Sequence, residues 1–73
     1  PMHMYPNPAT SMLHVSSVFA TSVRIGDLQG KQLIQVKGSE NFNINLGTLS
    51  AGVYIVSVYN QYALVGTEKL IRK

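Results

Sequence analysis

The side chains able to do chemistry are few and badly placed for it. The carboxylates are Asp27, Glu40 and Glu68, and the first two fall where turns are expected. Hydrolysis of a glycoside needs two carboxyl groups converging across a cleft, and no spacing here suggests that. His3 and His14 are the only imidazoles. A metal would need two further donors, and the chain has no cysteine and neither an H-x-H nor an H-E-x-x-H spacing. Ser11, Ser16, Ser17, Ser22, Ser39, Ser50 and Ser57 lack a G-x-S-x-G elbow. Gly26, Gly30, Gly38, Gly47, Gly52 and Gly66 occur singly, so they form no phosphate-cradling loop. The expectation is a protein without catalytic residues, cofactor or metal, in which function resides in a surface.

Composition narrows the class. The chain has 73 residues, enough for one domain. A chain of this size buries only about 60% of its unfolded surface, and no disulfide can reinforce it. It is 45% hydrophobic but 12% charged, about half the usual ~25%. That pattern fits a β-rich domain covered by Ser, Thr, Asn and Gln. The net charge is +3. Arg24, Lys31 and Lys37 are scattered, and only Lys69, Arg72 and Lys73 cluster. A nucleic-acid module would show a denser basic stripe with stacking aromatics. No apolar run approaches the ~20 residues of a membrane helix. The opening PMHMYPNPATS has no basic region followed by an apolar stretch, and it does not begin like a translation product. Residues 1–73 read as one C-terminal domain excised from a larger protein.

Short period-2 segments separated by turn residues must position any such surface. Met2–Tyr5 suits a short edge strand. Pro6-Asn7-Pro8 interrupts it, because each proline lacks an amide donor and pushes its predecessor towards an extended conformation. We expect this stretch to be rigid and extended, with Asn7 closing a local turn and the chain turning at Ala9-Thr10. Met12–Ser16, Ser22–Leu28, Lys31–Lys37 and Phe42–Leu46 alternate. Asp27–Gly30 and Gly38–Glu40 are turns, with Gly30 able to supply a positive φ. Leu49 lies in the loop Gly47–Gly52 and should tuck against the core. Gly52–Tyr59 is apolar on both faces, as a central strand would be, and Leu64–Arg72 follows the turn Asn60-Gln61. Six or seven strands in so short a chain point to an all-β fold: an Ig-like antiparallel β-sandwich with a Greek-key connection. Its edges cannot all be covered, so a homodimer through exposed edge strands is open to it.

Three segments carry a resemblance. They are Tyr5-Pro6-Asn7-Pro8-Ala9, Leu49-Ser50-Ala51-Gly52-Val53-Tyr54-Ile55-Val56 and Thr67-Glu68-Lys69-Leu70-Ile71-Arg72-Lys73. In this order and at these distances the chain resembles the type A C-terminal sorting domain of cargo proteins exported by the type IX secretion system. The likeness runs from Met4 or Tyr5 to Lys73.

The resemblance implies an Ig-like sandwich and a Gram-negative host. It implies cargo that crosses the inner membrane by a separate N-terminal signal and passes through the periplasm. At the outer membrane the partners would be the translocon, a shuttle protein and a sortase that removes the domain. The cut would fall at or before Pro1, leaving the cargo on the cell surface or secreted. Carried over, the recognition signal is Pro6, Asn7, Pro8, Lys69, Leu70, Arg72 and Lys73. Gly52 and Tyr54 are expected to build the fold, Gly52 through a turn conformation that a Cβ would hinder. Lys69 is the leading recognition residue, since a lone exposed cation adds little stability. The rival reading is an Ig-like accessory module that binds carbohydrate or protein, with Tyr59 and Tyr62 as a stacking platform.

Overall fold

A computed structural model describes residues 2–73. The strands are β1 (Met2–Tyr5), β2 (Met12–Ser17), β3 (Ala20–Gly26), β4 (Gln32–Lys37), β5 (Asn41–Asn45), β6 (Gly52–Asn60) and β7 (Leu64–Arg72). Alternation produces them as expected: every second residue of β2 and β5 is buried, and β3 alternates from Val23 onward, after a register shift near its start. Two antiparallel sheets result, one of order β1-β2-β5 and one of order β4-β3-β6-β7. The chain passes between sheets at β2–β3, β4–β5 and β5–β6, which makes the fold the expected sandwich. β6 is indeed interior to its sheet, between β3 and β7.

One core fills the space between the sheets. Leu13, Val15, Val23, Ile25, Ile44, Leu46, Val56, Val58 and Leu70 are all but fully buried. Leu49 joins them from its loop, as its place in the sequence suggested.

The ends of the sandwich differ. At one end the Val18-Phe19 corner takes the chain from β2 to β3, and both Phe19 (φ 62°) and Glu40 (φ 66°) adopt left-handed backbone. Such residues cost on the order of 1–3 kcal/mol unless their surroundings fix them. Here the two corners fix each other. The Glu40 carboxylate accepts from the Phe19 amide (3.2 Å), and the Glu40 amide donates to the Ala20 carbonyl (3.0 Å). The Glu40 carbonyl accepts from the Ser17 amide at 2.9 Å. At the other end the β3–β4 turn is tied by Asp27, whose Oδ1 accepts from the amides of Gln29 and Lys31, both at 2.9 Å. Gly30 there has φ 89°, the positive angle foreseen for it.

The segment after β1 departs from expectation. It bends at Asn7-Pro8 instead of running extended, both X-Pro bonds are cis, and Ala9 lies straight along β7. The reason is topological. The chain must leave the edge of one sheet, touch the edge of the other, and return to begin β2.

Gly26 sits at an irregularity in the β3–β4 ladder, and a Cβ there would stand 2.9 Å from the backbone oxygen of Lys31. A backbone carbonyl cannot swing aside as a side chain can. Gly26→Ala should destabilise the domain by about 1–3 kcal/mol, lowering the thermal midpoint by roughly 4–8 °C per kcal/mol. Differential scanning calorimetry of the two proteins measures this directly.

Candidate recognition surface

The first and last sequence motifs meet. Beyond β6, the far edge of β7 exposes backbone groups at alternate residues, and the Pro6–Ala9 segment satisfies four of them in succession. Asn7 Nδ2 donates to the Lys69 carbonyl (2.8 Å), and the Ile71 amide donates to Asn7 Oδ1 (3.0 Å). The Ala9 amide then donates to the Ile71 carbonyl, and the Lys73 amide donates to the Ala9 carbonyl, each at 2.8 Å. Ala9 and Arg72 form a parallel bridge.

The chemistry of the motif explains this. Pro6 and Pro8 have no amide hydrogen to offer a strand edge. The Asn7 carboxamide carries one acceptor oxygen and donor hydrogens on its nitrogen, as a peptide group does. It therefore stands in for the missing main chain. Asn7 thus bonds across the molecule, not into the local turn expected of it. Ala9 is fully buried against the core, which a small side chain permits where two sheet edges converge.

The residues of the last motif separate by face. Lys69 pairs with Ile55 and is exposed on the outer side of its sheet. Leu70, expected within the recognition signal, pairs with Tyr54 and is fully buried. Its side chain is not presented by the folded domain. It belongs to the core because β7 alternates and Lys69 already points outward. Arg72 points inward and is half-buried, its Nη1 donating to the Lys73 carbonyl. Lys73 is exposed, but its amide is held by Ala9. Pro6 and Pro8 are exposed beside them. The surface patch is therefore Pro6, Pro8, Lys69 and Lys73, with Asn7 as its fastening. The expected cut at or before Pro1 lies outside the described residues.

The central motif builds the fold. Tyr54 is buried and its hydroxyl donates to the Ser50 carbonyl at 2.5 Å. This hydrogen bond back across a corner is a known device of β-sandwiches. The reason offered for Gly52 does not hold. Its φ is not positive, and a Cβ would lie 3.8 Å from the Tyr54 hydroxyl, an ordinary contact.

The two tyrosines of the rival reading differ in access, Tyr59 being half-buried and Tyr62 89% exposed. The Arg24 guanidinium lies 4.4 Å from the centre of the Tyr59 ring and covers it, while Tyr62 stands in the β6–β7 turn, whose backbone is held by Asn60 Oδ1.

The sequence of the secretion system C-terminal sorting domain matches residues 3–73 of this chain. The chain belongs to this family. No curated protein and no solved structure matches it. As a type IX C-terminal sorting domain, it holds its first and last motifs as one hydrogen-bonded unit and buries Leu49, Tyr54 and Val56 of the second.

Two variants follow from this geometry. Asn7→Ala removes two hydrogen bonds to the β7 edge and should cost about 1–2 kcal/mol, with faster hydrogen exchange at the Ile71 amide than at the core amides of β6. Gly52→Ala should leave the unfolding free energy within about 0.5 kcal/mol of the parent, since nothing near it obstructs a methyl group.

Proposed function

We propose that this domain is an export signal read in its folded state. It directs an attached cargo protein across the outer membrane, where a sortase removes it. The single observation that carries this reading is the hydrogen-bonded union of Asn7 and Ala9 with Lys69–Lys73 in a chain that matches the family from residue 3 to residue 73. Motifs distant in sequence form one patch, and the patch exists only when the sandwich is folded. A translocon that grips it thereby selects folded domains.

Strand directions support the same reading. β1 runs from Met2, paired with Ser17, to Tyr5, paired with His14. Met2 therefore lies at the Phe19 end of the sandwich and the patch at the opposite end. Cargo joined upstream would leave the patch unobstructed for the translocon and shuttle protein. The domain itself is proposed to carry no catalytic activity. Two of its three carboxylates already accept backbone hydrogen bonds, Asp27 in the β3–β4 turn and Glu40 at the β2–β3 corner. Any dimer would form through the outer edges of β1, β4 and β5, or through the part of β7 before Lys69, where no further strand is paired.

The test is a periplasmic reporter fused ahead of the 73 residues in a host with type IX secretion. The reporter should reach the cell surface and lose the domain. Lys69→Ala should reduce surface delivery at an unchanged thermal midpoint, because an exposed cation contributes at most about 1 kcal/mol to stability. A reporter retained in the periplasm with the parent domain would exclude the export role. A large loss of stability in Lys69→Ala would make that lysine structural.

A further inference from the structure

The register gives the two outer faces of the sandwich opposite chemistry. On the three-stranded sheet, His3, Ser16 and Asn41 form one cross-strand row, and Tyr5, His14 and Asn43 the next. That face holds no Lys, Arg, Asp or Glu. On the four-stranded sheet, Lys37 lies in the Ser22–Tyr59 row, Arg24 in the Ser57–Thr67 row and Lys69 in the Ile55 row. With strands about 4.8 Å apart and a rise of about 3.4 Å per residue, the Cα of Arg24 is about 8 Å from that of Lys37 and about 12 Å from that of Lys69. The three cations form a diagonal stripe across all four strands. No carboxylate shares the face: Glu68 points to the opposite side of β7 with Val56, and Asp27 and Glu40 are in turns.

We infer that this face docks a protein surface carrying a row of carboxylates with an apolar group beside it, a contact of the export machinery beyond the motif patch. The inference rests on the export reading above and extends it to Arg24 and Lys37, which lie in none of the three motifs. Charge complementarity sets the partner's sign. The apolar part of the face is the Val53–Ile71 row beside Lys69, whose side chains are 39% and 41% exposed. Short branched side chains of this kind suit a flat protein interface with Arg and Tyr at hand. A membrane surface would be met by protruding large apolar groups. A single-stranded nucleic acid would need open aromatic rings, whereas the Tyr59 ring is covered by Arg24. A second copy in symmetric contact would bring a face with no carboxylate against an identical one.

The test compares the reporter fusion with its Arg24→Gln/Lys37→Gln double variant and with a Ser16→Ala/Asn41→Ala variant of the neutral face. The first should deliver roughly tenfold less reporter per unit time, since rim charges act mainly on association rate. The second should match the parent. Equal delivery by the Arg24/Lys37 variant, with thermal unfolding unchanged, would overturn the docking face and leave the export signal standing. If the parent itself is not delivered, the export role fails and a titration of the isotope-labelled chain with poly-glutamate decides for the face. Salt-sensitive shifts confined to the Arg24, Ser57, Thr67 and Lys69 amides support it, and shifts spread over the molecule overturn it. Binding of the chain to phosphatidylglycerol vesicles, lost in the Arg24/Lys37 variant, would assign the face to a membrane and overturn the protein partner.

Discussion

The carboxamide of Asn7 stands where a piece of strand would otherwise have to stand. Two prolines have stripped the chain of amide donors at the point where it must seal the edge of β7, and one side chain replaces what they removed. Ala9 completes the seal with its own backbone. Much follows from this short contact. It links the two sheets at a place where no sheet hydrogen bond could. It holds the end of β7 in register, so that Leu70 enters the core and Lys69 stays outside. An open strand edge invites association, and this seal closes it over the last residues of the chain.

The same economy governs the core. A domain of this size has little apolar volume to spare, so several polar contacts are needed to fix what packing alone would leave loose. Tyr54 couples the loop before β6 to the core through a single hydroxyl. Phe19 and Glu40, both left-handed and neither glycine, hold each other in conformations that each would resist alone. Asp27 and Asn60 organise their turns by accepting two backbone amides apiece. Several polar side chains are thus spent on structure, and the positive charges other than the half-buried Arg72 are left at the surface.

That division bears on how a sorting domain of type IX secretion can be recognised. A linear signal would expose its motifs equally. Here Leu49, Tyr54 and Val56 of the central motif are buried, and the outer two motifs are stitched together. What remains on the surface is a small set of prolines and lysines on a rigid frame, which suits recognition that depends on geometry. The segregation of cations onto one sheet face adds a second feature that only the folded state possesses.

Much of this was legible in the order of residues. Alternation in Phe42–Asn45 and in Met12–Ser16 requires strands, because side chains on an extended backbone take opposite faces. The doubly apolar run from Val53 to Tyr59 requires an interior position. Gly30 marks its turn by its tolerance of positive φ, and the three motifs mark the family. Other features depend on pairings between distant segments. Asn7 between two prolines looks like a local turn residue; its real partners are 62 and 64 positions away, and nothing nearby in sequence announces them. Alternation puts Leu70 on the face opposite Lys69, but its full burial in the core follows only once β7 is set against β6. Lys37, Arg24 and Lys69 are merely scattered cations until two successive registers align them. Local pattern is fixed by the backbone's own periodicity, so the sequence carries it alone. Which edges meet, and which charges share a face, is decided only when the sheets close on a common core.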